Sequence, residues 1–194
     1  MIFIVQKYKE IKIVYDYLKS NKIDAEVVGC TPEVLYFADK NNLPITDLEK
    51  CYCWSSLNNV GDKNYFKVNQ ICDQLDKIIH PFISGEESFK HISFHNFYND
   101  IKAFVDAFCI RYYQLNSLLS KSKYKEIILF DFNDDDISGT NIFEKSPYFF
   151  IPRISMTLAE HLRKQCYLLK DPETQPIAIP AKYKVPCNNV SSTK

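Results

Sequence analysis

The chain has 194 residues, 46% hydrophobic and 25% charged, the make-up of one ordinary folded domain able to bury about 70% of its unfolded surface, and this excludes a disordered segment. Lys plus Arg and Asp plus Glu both total 24, so the net charge is zero and nucleic acid is not an expected partner. No stretch approaches the ~20 apolar residues of a membrane span and no secretory leader is recognisable, so a cytoplasmic protein with at most peripheral membrane contact is expected.

The chain opens with Ile2-Phe3-Ile4-Val5, a continuous apolar run of the kind that forms a central strand buried on both faces of a parallel sheet. Ile11, Val14, Tyr15 and Leu18 then follow helical spacing, with Asn21 as the stop. Ala25 to Val28 reads as a second strand ending at Gly29. Thr31-Pro32-Glu33 combines an N-cap hydroxyl, a proline at the first helical position and an acid in the first turn, and starts a helix running to about Asn42. Leu43-Pro44-Ile45 predicts a short third strand, with Pro44 at an edge or a start. Roughly the first 50 residues thus form a Rossmann-like strand-helix-strand-helix unit.

From about 47 to 122 the pattern is helical, with breaks expected at Asn58 to Asp62 and around Pro81 to Glu86. The clearest helix carries Phe97, Ile101, Phe104, Val105, Phe108, Tyr112, Leu115, Leu118 and Leu119 at steps of three and four. Glu126 to Phe130 reads as a buried strand ending in Asp131, Ile154 to Lys164 as a helix, and Cys166 to Leu169 as a strand. The expected fold is α/β, a Rossmann-like and mostly parallel sheet over 1–170 with a long helical insertion between the third and fourth strands. The tail over 171–194 reads as irregular.

The position after the first strand reads Gln6-Lys7-Tyr8-Lys9, without the glycines that bring backbone against a pyrophosphate, so no nicotinamide or flavin cofactor is expected. Only four glycines are present and no Walker loop. Seven cysteines, Cys30, Cys51, Cys53, Cys72, Cys109, Cys166 and Cys187, read as reduced thiols, and the C-x-C of Cys51 and Cys53 lacks the second pair or nearby His of a structural zinc site. Asp131, Asp134, Asp135 and Asp136 follow a buried strand's carboxyl end, where open α/β sheets bind ligands. Asp131 is a candidate catalytic residue, and Asp134 with Asp136 reads either as a divalent-metal site or, more plainly, as turn chemistry.

His91 and His95 are four apart and predict a shared helical face; His95 is the second catalytic candidate, against a plain helix-start or packing role. His80 and His161 carry less signal. Arg153 has the geometry to clamp a phosphate and Trp54 to stack on a sugar, each set against an ordinary surface or packing role. Ser55 has no nucleophile elbow around it.

The Met1-Ile-Phe-Ile-Val strand with its amphipathic helix carries the first part of a resemblance. The second is the aromatic helices from Tyr65 to Leu119 leading to Lys125-Glu-Ile-Ile-Leu-Phe-Asp131, and the third is Ser146 to Ile154 leading through a helix to Cys166. This layout is similar to the N-terminal half of bacterial GT-B type glycosyltransferases and related surface-carbohydrate biosynthesis proteins. The resemblance implies a domain that binds a carbohydrate or lipid-linked sugar acceptor, with a separate Rossmann domain holding the nucleotide-sugar donor. Two halves of about 150 residues each do not fit in 194, so the expectation is a fragment or a lone half working with a second protein chain and inactive alone. Two alternatives stay open. One is a metal-dependent nucleotidyl or glycosyl transferase using Asp131 to Asp136; the other is a non-enzymatic protein-interaction domain using the aromatic helices.

Overall fold

A computed structural model of the chain describes residues 1–83, 85, 87, 91–130 and 142–169, with side chains at all of these except 54, 56–58 and 142–149. Among the described residues, five strands form one all-parallel sheet of order β3-β2-β1-β4-β5. The strands are β1 (Ile2–Val5), β2 (Glu26–Gly29), β3 (Thr46–Asp47), β4 (Glu126–Phe130) and β5 (Gln165–Leu169). The helices are α1 (Tyr8–Asn21), α2 (Pro32–Lys40), α3 (Trp54–Ile83), α4 (Tyr98–Lys121) and α5 (Ile142–His161). The fold is Rossmann-like α/β, with the long helical segment between the third and fourth strands. No helix among the described residues is long and apolar enough to cross a membrane.

β1 is central because all four of its side chains are apolar and a parallel sheet covers both faces with helices. The pleat sends alternate residues to opposite layers. Ile2 and Ile4 pack with Leu115, Leu119, Ile151, Ile154 and Leu158 from α4 and α5. Phe3 and Val5 pack with Ile11, Val14, Val34 and Ala38 from α1 and α2. Each such side chain, fully buried, contributes about 1.5–3 kcal/mol. The chain runs outward through β1, β2 and β3, then returns so that β4 pairs beside β1 in the register Ile2 to Ile127. The strand order therefore reverses between β1 and β4, the switch point at whose carboxyl ends open α/β sheets bind ligands.

Local chemistry sets the helix ends. Thr31 Oγ1 accepts the Val34 amide at 3.3 Å and caps α2, with Pro32 in the first turn. α2 stops at Lys40 rather than near Asn42, because Asn42 adopts φ 51° and the Leu43 amide reaches back to the Ala38 carbonyl at 2.9 Å. α5 closes the same way: Arg163 has φ 54° and the Lys164 amide bonds the Ala159 carbonyl at 2.8 Å.

The third strand is displaced from expectation. It comprises Thr46 and Asp47 instead of Leu43 to Ile45, paired as Val28 to Thr46 and Gly29 to Asp47. Pro44 has no amide to donate, so pairing begins only beyond it. α5 starts twelve residues before the expected Ile154, and β5 one residue before Cys166.

The chain divides into two compact units, where one domain with an insertion over 47–122 is expected from sequence. One unit comprises Met1–Tyr52 with Arg111–Lys194, and the other Cys53–Ile110. In the helical unit, α3 runs unbroken through the turn expected at Asn58 to Asp62. Its buried residues Val60, Asn64, Val68 and Cys72 recur every fourth position, a stripe whose burial outweighs the roughly 1 kcal/mol that Gly61 costs a helix. The Asn64 amide donates to Asp106 at 2.9 Å, tying α3 to α4. α4 has the expected period, yet only its last turns, with Leu115 and Leu119, reach the sheet core; Phe104 and Phe108 keep 39% and 41% of their surface exposed.

Candidate functional site at the carboxyl edge of the sheet

β1 delivers its chain at Val5 into Gln6 and Lys7, and α1 begins at Tyr8. In a dinucleotide-binding unit the amides here face a pyrophosphate at the positive end of the helix dipole. In this chain they face Glu10, which is 2% exposed and accepts the Gln6 amide at 2.6 Å and the Lys7 amide at 3.1 Å. The protein's own carboxylate takes the place of a phosphate at the Gln6 and Lys7 amides, just before α1. The missing glycines and the filled cradle are thus one feature seen at two levels.

Around this carboxylate the carboxyl edge is polar and buried. The Cys30 amide bonds the Val5 carbonyl at 3.0 Å, and the Thr31 hydroxyl donates to the Gln6 carbonyl at 2.8 Å, locking the start of α2 to the end of β1. Arg111 of α4 is 7% exposed; its guanidinium donates to Gln114 Oε1 at 2.8 Å and lies 3.7 Å from Glu49 Oε1. Gln6 is 6% exposed, and its side-chain Oε1 has no hydrogen-bond partner among the described residues. An acceptor buried this deeply without a donor costs on the order of 1–3 kcal/mol, so a ligand hydroxyl or amide placed there recovers that penalty.

Burial pushes the Cys30 thiol well up from its ordinary value. The Arg111 guanidinium opposes that push, while Glu10, Cys51 and Asp47 add to it. Thiol, guanidinium and carboxylate therefore share one electrostatic neighbourhood. The thiol stays protonated, so Cys30 is a packing residue and not a nucleophile. What the edge offers is recognition: a buried cation, a buried carboxylate and an open amide oxygen.

Asp131 directly follows Phe130 at the end of β4, but Asp131, Asp134, Asp135 and Asp136 lie outside the described residues. Trp54 is the first residue of α3, in the helical unit, and its side chain also lies outside the description. Arg153 is exposed on α5, and its carbonyl accepts the Thr157 hydroxyl at 3.1 Å.

His91 and His95 do not share a helical face. Ser93 caps a short 3-10 helix over Phe94–Phe97, so His91 falls in the turn before it. His95 Nε2 lies 2.9 Å from Asp73 Oδ1, both side chains largely exposed. Beside them Asp76 accepts the Ser93 hydroxyl and the Phe94 amide, each at 2.6 Å, and these bonds hold its carboxyl below the usual range. The pair belongs to a cap that pins the 3-10 helix to α3. Among the described residues no three His, Cys, Asp or Glu side chains are grouped to hold a metal.

Sequence reasoning missed Gln6, Glu10, Arg111 and Gln114. One signal was available: 111, 114, 115, 118 and 119 are the buried positions of α4, so Arg111 and Gln114 continue the core-facing stripe of Leu115, Leu118 and Leu119 with polar groups. Comparison with protein-family models, with curated proteins and with solved structures finds no match to this chain.

Proposed function

We propose that the chain is the acceptor-side half of a glycosyltransferase-like protein of surface polysaccharide assembly, acting in the cytoplasm and binding a saccharide at the carboxyl edge between β1 and β4. The observation that carries the reading is Glu10 on the Gln6 and Lys7 amides. With that cradle occupied by a carboxylate, a nucleotide-sugar's diphosphate meets repulsion where a donor domain provides attraction. The buried, unsatisfied Gln6 Oε1 suits a sugar hydroxyl instead. Sugar transfer then requires a donor-binding half from further sequence or from a second chain.

A thermal-shift screen tests this. An acceptor saccharide at about 100 times its dissociation constant stabilises the fold by about 2.7 kcal/mol, and Gln6→Leu removes that shift. Nucleotide-sugars leave the melting temperature of this chain unchanged. Stabilisation of the isolated chain by a nucleotide-sugar refutes the acceptor-side assignment.

A further inference from the structure

At the opposite, amino-terminal edge of the sheet lies a cavity of about 810 Å³, a size that accommodates a small organic ligand and is far larger than an ion needs. The apolar part of its wall is Leu18 and Ile23 from the end of α1, Ala25 and Val27 along β2, and Pro44 and Ile45 before β3; the rest is polar. The cavity exists because β3 pairs only with Val28 and Gly29, leaving the first half of β2 uncovered on that side.

Two opposite charges stand on this wall. Glu26 accepts the Thr46 hydroxyl on Oε1 at 3.0 Å, and its other oxygen has no partner among the described residues. Lys121, the exposed last residue of α4, makes no hydrogen bond or ion pair among the described residues. The two do not pair with each other, and both line the cavity.

The other charges and hydroxyls are already engaged. Asp24 accepts from Lys123 at 3.4 Å and from the Tyr124 hydroxyl at 3.1 Å, and the Tyr15 hydroxyl donates to the Pro44 carbonyl. No Asn or Gln lines the cavity, so the graded set of neutral donors and acceptors that a saccharide needs is lacking. Of the lining lysines Lys123 is paired with Asp24, which leaves Lys121 facing Glu26, so a strongly anionic ligand gains nothing.

We infer that this cavity binds a zwitterion with an apolar body, a free apolar amino acid or a short apolar peptide, its ammonium on Glu26 and its carboxylate on Lys121. The site is separate from the carboxyl edge and does not depend on the acceptor reading. Titration calorimetry on the full chain uses leucine, the tripeptide Leu-Ala-Leu with free ends, the same tripeptide acetylated and amidated, and maltotriose. Free-ended tripeptide or leucine binds, the stronger of the two identifying the source, while the blocked tripeptide and maltotriose do not.

Glu26→Gln keeps an acceptor for Thr46 and so keeps the fold, and Lys121→Met changes only an exposed helix end. Each weakens binding roughly tenfold, the effect of losing one charge-assisted hydrogen bond. Equal binding of the blocked tripeptide, binding of maltotriose in this cavity, no binding by leucine or the free tripeptide, or indifference to both substitutions overturns the inference. Gln6→Leu leaves this binding unchanged, which separates its failure from that of the carboxyl-edge site.

Discussion

Removing the Glu10 carboxylate tests whether the end of β1 is a filled phosphate cradle. In Glu10→Ala two backbone donors lose their acceptor, the buried Gln6 amide at 2.6 Å and the half-buried Lys7 amide at 3.1 Å. A hydrogen bond to a charged group contributes about 1.5–3 kcal/mol, and a favourable charge at a helix N-terminus adds about 0.3–1 kcal/mol. Release of a buried charge from its desolvation offsets part of this, so the net loss is about 2–4 kcal/mol, a large share of a typical 5–15 kcal/mol.

Glu10→Gln keeps one acceptor oxygen but no charge, and loses about half as much. Urea denaturation followed by circular dichroism reads both variants, with the midpoint shifting and the slope unchanged. The freed amides of Glu10→Ala also form an anion site, so phosphate stabilises this variant more than the parent chain. If Glu10→Ala lowers stability by less than about 0.5 kcal/mol, or phosphate acts equally on both proteins, the reasoning about the cradle is wrong.

Gly29→Ala places a Cβ 2.8 Å from Ile45 Cδ1 and 2.9 Å from Leu35 Cδ2, terminal methyls whose side chains turn aside, so a loss of about 1 kcal/mol, the low end for overpacking, is expected in the same urea assay. Leu115→Ala removes a fully buried side chain from the sheet core and costs about 2–5 kcal/mol, whereas Phe104→Ala, at 39% exposure, costs clearly less by thermal denaturation. Because burial raises the Cys30 thiol, its contribution is fully present below the unfolded thiol value near 8.5 and is lost as pH rises toward the folded value. Stability therefore falls above about pH 8.5, and less steeply in Cys30→Ala, as chemical denaturation across pH shows. In the folded state a thiol-labelling reagent modifies exposed Cys53 rapidly and Cys30 only at the rate of opening.

The elements legible in the sequence are those whose cause is local. Ile2 to Val5 needs only its unbroken apolar run to be a buried central strand, and Thr31-Pro32 carries its own cap and first turn. The period of α4 and the apolar run of Glu126 to Phe130 likewise depend on no partner to be seen. Absent glycines after β1 likewise set an expectation about dinucleotide cofactors from local sequence, because glycine best admits the backbone so close to a pyrophosphate.

What only the tertiary structure decided depends on pairing across long separations. β3 is two residues long and exists through its register with β2, so propensity placed it on Leu43 to Ile45 instead. α3 passes through Asn58 to Asp62 because a buried stripe overrides local turn preference. The candidate site brings Glu10 and Arg111, far apart in sequence, to act on the one thiol of Cys30, and no local pattern announces it. Burial and distance turn an unremarked glutamate into the group that occupies the phosphate's place, and these exist only once the sheet has closed.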